Sequence, residues 1–436
     1  MGRTYRKRKR RTLRNFSSNL HSSACFIHLT QWMRKHGWSP SCTLCPVEFN
    51  DTGRGLRAET SISKNQVIVS IPLELLITVS TVEISNIGWI FSKAKGLHLF
   101  AQQVLAAFLV WEKHLGHHSV WEPYLNSLPA DYSVPLFCSN EELNILPSIL
   151  LEPILIHKQK VIDTFSDLKK ILSMHSVMCW HCGESLSSIF QREQYWWAWS
   201  TVNTRCVYLD EQVLSHSLRV QDKSCLALAP FLDMFNHSND ADVQVGLSSD
   251  GKSYEIRTCV PFAKYTQVFI HYGYHSNLKL YNEYGFILPL NPHDFIPFMF
   301  DEILNSIKDI YPGKFNCSAS KLDFLKVHSL TENLSCNFEG LSFNMKAVIY
   351  VCMTSESKKD ILTLKIYSSD FTSEESVALC RVGKQLIKQK CLEFESVLQI
   401  MEQKKSNGCS RSFEVARSLI LEYIKILKRA EKLCKQ

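Results

Sequence analysis

No apolar run in this 436-residue sequence is long enough to cross a bilayer. The most apolar stretches, VLAAFLVW at 104–111 and SILLEPILI at 148–156, fall far short of the ~20 residues a spanning helix needs. The stretch NFSSNLHSSACFIHLTQW is too polar to serve as a secretory signal. Arg6 stands where an N-myristoylation pattern needs Ser or Thr. These absences lead us to expect an intracellular chain with no membrane partner, whose 16 cysteines are free thiols. Acidic residues are missing from GRTYRKRKRRTLRN, where Arg3, Arg6, Lys7, Arg8, Lys9, Arg10, Arg11 and Arg14 stand unopposed. Such a block repels itself, so residues 1–20 are expected to form a disordered basic tail. A tail of this kind can act as a nuclear-import signal or tether to nucleic acid, and we expect the protein in nucleus and cytoplasm. Two C-x-x-C pairs are present, Cys42/Cys45 and Cys179/Cys182, but they lie far apart and neither has a local partner pair. Tetrahedral zinc needs four such ligands together, so no metal is expected. Internal repeats are lacking too.

What is present is a mixture of periods. Phe26, Leu29 and Trp32 recur at helical spacing within residues 21–47, with Gly37 as a stop. Gly53 and Gly55 permit a tight turn or close approach of a ligand. Val67–Ile71 is β-branched and ends at Pro72, which predicts a short strand. From Lys93 to Leu115, Leu97, Phe100, Ala101, Val104, Leu105, Phe108 and Trp111 form one helical face. Helical patterning continues, interrupted by Pro147 and Pro153, into an aromatic segment whose Trp196, Trp197 and Trp199 read as core. Strands are expected again at 226–230, 242–247, 253–259 and 267–272, the middle two joined as a hairpin by SSDGK. Beyond Pro292 the chain turns helical. Its last helix carries a stripe of Phe413, Ala416, Leu419, Ile420, Tyr423, Leu427, Ala430 and Leu433.

In order, GRGLRA, DMFNHS, VFIHYG and NEYGF resemble the SET-domain protein methyltransferases. The helical interruption and helical C-terminal region narrow the likeness to the Rubisco large-subunit methyltransferase-like group. The resemblance implies an α+β architecture. A β-rich SET fold over 48–273 would be split by a helical insertion at about 93–200. A pocket-closing segment, 274–292, would follow, and then an all-α substrate-binding domain over 293–436. No cysteine lies in EYGFILPLNPHDFIPF, so the zinc cluster that follows the core in many histone-specific relatives is absent, and the helical domain would close the pocket there.

The implied cofactor is S-adenosyl-L-methionine. Thr52, Gly53 and Arg54 match the family's cofactor-contacting turn, although an acidic residue often stands where Thr52 does. Asp233, Met234, Phe235, Asn236 and His237 match the segment that holds the cofactor, which explains polar residues at the end of the apolar run LALAPF. Arg205 matches an arginine near the cofactor, and Tyr284, Gly285 and Phe286 match the pocket-closing residues. Tyr272 matches the catalytic tyrosine beside the methyl-transfer channel. A related branch methylates a histidine of actin and holds the imidazole with an amide-bearing side chain two positions after the matched arginine. Val207 stands there in this chain and suits the stem of a lysine.

The expected activity is protein-lysine methylation, with protein substrates such as histone tails. A histidine methyltransferase and a catalytically silent SET-fold peptide-binding module are the alternatives. Retention of Asn236, His237 and Tyr272 favours an enzyme. Outside the tail there is no zinc finger or ordered basic helix, so nucleic acid would be only an accessory contact.

Overall fold

The computed structural model describes residues 16–93, 99–174, 178–210, 218, 220–221, 225–356, 358–405 and 408–434. The chain divides into two compact units, residues 1–132 with 157–274 and residues 133–156 with 275–436. Among the described residues no helix is long and apolar enough to cross a membrane.

In the first unit the described strands build a five-stranded sheet in the order β1-β2-β3-β10-β7. These strands are β1 (Phe16–Asn19), β2 (Leu44–Phe49), β3 (Gly53–Ala58), β7 (Asn236–His237) and β10 (Gln267–Ile270). β2 and β3 form a hairpin in which Phe49 faces Gly53 and Pro46 faces Leu56. The turn requires a left-handed residue, and Gly53 supplies it at φ 69°. A second sheet of β4 (Val67–Pro72), β8 (Val243–Leu247) and β9 (Ser253–Thr258) has the order β4-β9-β8. The β8–β9 turn is the one expected from SSDGK, with Gly251 at φ 69° and the Ser248 hydroxyl donating to Asp250. A short pair joins β5 (Cys206–Tyr208) to β6 (Leu226–Leu228).

Several expectations need correction. Phe16–Asn19, assigned to the disordered tail, is a strand, with Ser18 facing Glu48 and Asn19 facing Val47. A free sheet edge recruits backbone groups whatever the side-chain pattern, so composition did not reveal it. The basic block 3–14 lies outside the described residues, as does Leu97. The Ala24–Lys35 helix buries Phe26, Leu29 and Met33, while Trp32 is only half-buried. Helix Ala101–Leu115 is buried on nearly every side rather than on one face. Its segment AQQVLAAFLVW has no charge, which is the pattern of a core helix. Its buried Gln103 is satisfied by donating Nε2 to the Thr164 carbonyl at 2.8 Å. Pro153 does not break the helix it sits in, which runs over Ser148–Ser173. The lost hydrogen bond costs about 3 kcal/mol, and burial of Leu150 and Ile154 on either side offsets it. Trp197 and Trp199 are core as expected, but Trp196 is half-buried and lies under the Arg192 guanidinium at 5.2 Å.

Residues 133–156, expected within the insertion, belong to the second unit. Cys138, Leu143, Leu146, Leu150 and Ile154 are buried in one cluster with the C-terminal helices. That grouping depends on which apolar faces meet, and periodicity says nothing about it. The second unit is mainly helical but not all-α. Among the described residues, β11 (Ile296–Pro297), β12 (Ser335–Asn337) and β13 (Gly340–Leu341) form a three-stranded sheet. Strands of two and three residues are too short to show a period in the sequence. Ser410 caps the helix Arg411–Leu433, its hydroxyl accepting from the Phe413 N–H at 3.2 Å. The predicted stripe is buried from Phe413 to Ala430, and only Leu433 is exposed.

Candidate active site

Three stretches far apart in sequence meet in the first unit. β7 lies parallel to β10, with Asn236 facing Phe269 and His237 facing Ile270. β10 in turn pairs antiparallel with β3, so the 52–54 turn, the 233–237 segment and Tyr272 gather at one end of the sheet. Asn236 Nδ2 donates to the Arg54 carbonyl at 3.0 Å and to the Thr52 carbonyl at 3.4 Å. Gly55 is the close approach that lets this happen. A Cβ there would lie 2.7 Å from both Asn236 Nδ2 and Gln267 Nε2. The Thr52 hydroxyl donates to Gln267 Oε1 at 2.9 Å, a neutral bond that ties the turn to the start of β10.

Asp233 and Arg205 form the electrostatic centre. Arg205 ends the helix Arg192–Arg205 and donates Nη1 to the Asp233 carbonyl at 2.9 Å and to Asp233 Oδ2 at 3.1 Å. The Asp233 side chain is 3% exposed and that of Arg205 18%. Burial opposes the Arg205 charge, but Asp233 and the phenols of Tyr132 and Tyr124 outweigh it and hold the guanidinium well above its ordinary pKa. The Tyr124 hydroxyl donates to Asp233 Oδ2 at 3.0 Å; burial and then the Asp233 charge push that phenol well up. Tyr132 donates to Thr201 Oγ1 at 2.9 Å and is likewise raised by burial. The Arg54 guanidinium donates to the Ser127 carbonyl at 2.9 Å; burial and then the nearby Arg205 charge draw its pKa down.

Tyr272 was expected on strand 267–272, but β10 stops at Ile270. The Tyr272 N–H leaves the ladder and donates instead to His237 Nδ1 at 3.1 Å. This bond requires the proton of the neutral His237 ring to sit on Nε2. The two rings stack at 5.1 Å and 22°. The Tyr272 hydroxyl donates to the Phe235 carbonyl at 2.5 Å, and burial raises its pKa. Met234, between Asp233 and Phe235, is buried. Upstream, Phe231 adopts φ 70°, a left-handed conformation rare for a non-glycine residue. Its ring packs 5.0 Å from that of Trp38, which helps hold this strained corner before the Asp233 turn.

Tyr284, Gly285 and Phe286 lie in the second unit, where Gly285 ends the turn Leu280–Tyr284 at φ 78°. The Ser133 hydroxyl donates to the Gly285 carbonyl at 2.8 Å, and a Cβ on Gly285 would strike Ser133 at 2.8 Å. Sequence reading missed Tyr124, Tyr132 and Gln267. Nothing in WEPYL or around Gln267 marks them; only the fold places them beside Asp233, Arg205 and Thr52.

The sheet, the crossing segment and the tyrosine are those of a SET domain, and the SET domain profile matches residues 53–273. The chain belongs to the SET-domain family. It is similar to SET domain-containing protein 4 of Mus musculus, at 32% identity over 435 residues, 98% of this chain and 96% of that protein. It is also similar to the actin-histidine N-methyltransferase of Callithrix jacchus, 29% identical over 282 residues, 62% of this chain and 43% of that one. Among solved structures, the SET domain of LSMT bound to lysine and AdoHcy superposes with a TM-score of 0.64 at 19% identity, covering 95% of this chain and 92% of that one.

Proposed function

We propose that this chain is an S-adenosylmethionine-dependent protein-lysine N-methyltransferase. The observation that supports it most is the meeting of the 52–54 turn, Asn236, His237 and Tyr272 around the Arg205–Asp233 pair. The donor set fits such a cofactor. Arg205 Nε and Gln267 Nε2 are buried donors without a hydrogen-bond partner among the described residues. A buried donor left unmet costs about 1–3 kcal/mol, and a ligand carrying a carboxylate and an adenine offers acceptors for such groups. Thr52, Gly53, Arg54, Arg205 and residues 233–237, all in the first unit, would hold it. When bound, it supplies an electrophilic methyl group on a sulfonium.

The chain's own residues set the geometry of attack. The Tyr272 proton is committed to the Phe235 carbonyl, so its hydroxyl oxygen presents lone pairs to an incoming N–H. Because burial keeps that phenol protonated, no phenolate stands there to hold an ammonium or act as a strong base. A lysine, with an ordinary pKa of ~10.4, loses its proton to water as burial disfavours its charged form. Tyr272 then orients the free amine.

Val207, half-buried in β5 two residues after Arg205, supports lysine over histidine because this position carries no amide to hold an imidazole. One similar protein is named an actin-histidine N-methyltransferase, and a structure of the same fold holds lysine. Matched peptides carrying lysine or histidine at the same position decide it. We expect methyl transfer to lysine alone, and transfer only to histidine would overturn the assignment. Substrates in this reading are histone tails or other nuclear and cytosolic proteins, with residues 3–14 as the import element and as an accessory contact to nucleic acid.

The cofactor assignment is tested by calorimetric titration with S-adenosylmethionine of the wild type and of a variant carrying Asn236→Ala and His237→Ala. Binding by the wild type alone is the expected result. Absence of binding by folded wild type would favour a silent peptide-binding module.

A further inference from the structure

The cysteine pairs are not equivalent once folded. Cys42 donates its thiol to the Ile68 carbonyl at 3.2 Å, and buried Cys45 points to its neighbour's carbonyl, Pro46, at 3.7 Å. Cys179 and Cys182 lie instead in a small hairpin closed by a bridge between Met178 and Ser185. Within it the Cys179 N–H donates to the Glu184 carbonyl at 2.7 Å and the Gly183 N–H to the Cys179 carbonyl at 2.8 Å. Gly183 takes φ 75°, and the Glu184 N–H is thereby aimed at Cys182 Sγ at 3.4 Å. A backbone donor aimed at sulfur is the arrangement that stabilises a metal-bound thiolate. The last turn of the Ala101–Leu115 helix brings in His114, whose Nε2 is 3.3 Å from Cys182 Sγ. The ligand atoms of His114, Cys179 and Cys182 all lie within 4.8 Å of one another.

Tetrahedral zinc, with Zn–S of about 2.3 Å and Zn–N of about 2.0–2.1 Å, places sulfurs about 3.8 Å apart and nitrogen about 3.6 Å from sulfur. His114 Nε2 and Cys182 Sγ already stand at 3.3 Å, and with all three ligand atoms within 4.8 Å small shifts reach that geometry. His118 follows His114 at H-x-x-x-H spacing, the usual complement of a C-x-x-C pair. It is exposed, and its ring stands 3.8 Å from that of His181, inside the hairpin. We infer that His114, Cys179 and Cys182 form a zinc site, with His118 turning in as the fourth ligand. Binding forms two Zn–S bonds, and the thiol protons pass to solvent. The sequence alone argued for no metal because it sought a second cysteine pair; the missing ligands are histidines more than 60 residues upstream. All four residues lie in the first unit, and none belongs to the proposed cofactor site. The clip would tie the 178–185 hairpin to the end of the 101–115 helix.

The test uses the full chain purified under reducing conditions without added metal. Metal analysis should return roughly one zinc per chain. Substituting Co²⁺ should produce thiolate-to-cobalt charge-transfer absorption together with the strong visible bands of a tetrahedral centre. Cys182→Ser and His114→Ala should each lose more than ~10-fold in metal retention against a competing chelator, with S-adenosylmethionine binding retained. His118→Ala should do the same to a smaller degree. Should a variant fail to fold, treating wild type with chelator is the independent readout, and it should lower the melting temperature reversibly. Metal-free folded wild type, a mass two hydrogens lighter from a Cys179–Cys182 disulfide, or unchanged zinc in both Cys182→Ser and His114→Ala would each overturn the site.

Discussion

Replacing Tyr272 by phenylalanine is expected to slow methyl transfer by about 10²-fold while changing S-adenosylmethionine affinity by less than about 3-fold. The substitution is unusually clean in this fold. The Tyr272 backbone N–H, which holds His237 Nδ1, is untouched, and the ring stacked on His237 keeps its shape. Only the hydroxyl is lost, with its bond to the Phe235 carbonyl and its lone pairs toward the amine. Unfolding should therefore change by about 1 kcal/mol, the ordinary worth of one hydrogen bond. Single-turnover kinetics on a lysine peptide, paired with calorimetric titration of the cofactor, separate the two effects. Equal losses in rate and affinity would reduce Tyr272 to a packing residue.

Arg205→Leu carries the largest stability cost we expect, about 3–5 kcal/mol. Asp233 would keep its carboxylate in a nearly inaccessible position with the Tyr124 hydroxyl as its remaining side-chain donor. The cost comes from stranding that charge more than from the pair's intrinsic attraction. A second variant with Asp233→Leu added should thus recover part of the loss, and the difference measures the coupling. Urea unfolding of the wild type, the single variants and the double variant supplies the cycle. A loss below about 1 kcal/mol in Arg205→Leu would mean that water reaches Asp233 more freely than its burial indicates.

How much of this could be read beforehand differs by feature. The 248–252 hairpin and the last helix were legible because their signals are local: a turn sequence, and a stripe of period 3.6. The site core was legible only through the order of four short motifs, each weak alone. Tyr124, Tyr132 and Gln267 had no such signal, since their roles come from strand pairing and helix packing across more than 60 residues. His114 was hidden for the same reason. Pro153 shows the opposite failure, a strong local signal overridden by buried neighbours on the same helix.

The pairing of β3 with β10 also sets a timetable for biosynthesis. Thr52 and Gln267, joined side chain to side chain in the finished sheet, are 215 residues apart in the chain. At ordinary elongation rates β3 leaves the ribosome about ten to forty seconds before its partner exists. During that interval one flank is covered by β2, while the other offers unpaired backbone groups beside the apolar Leu56 and Ala58. Exposed apolar surface and an unpaired edge of this kind make partly synthesised chains prone to aggregate. A message truncated before codon 267 would leave a product with a permanently open edge, and β7 would have no strand to lie against.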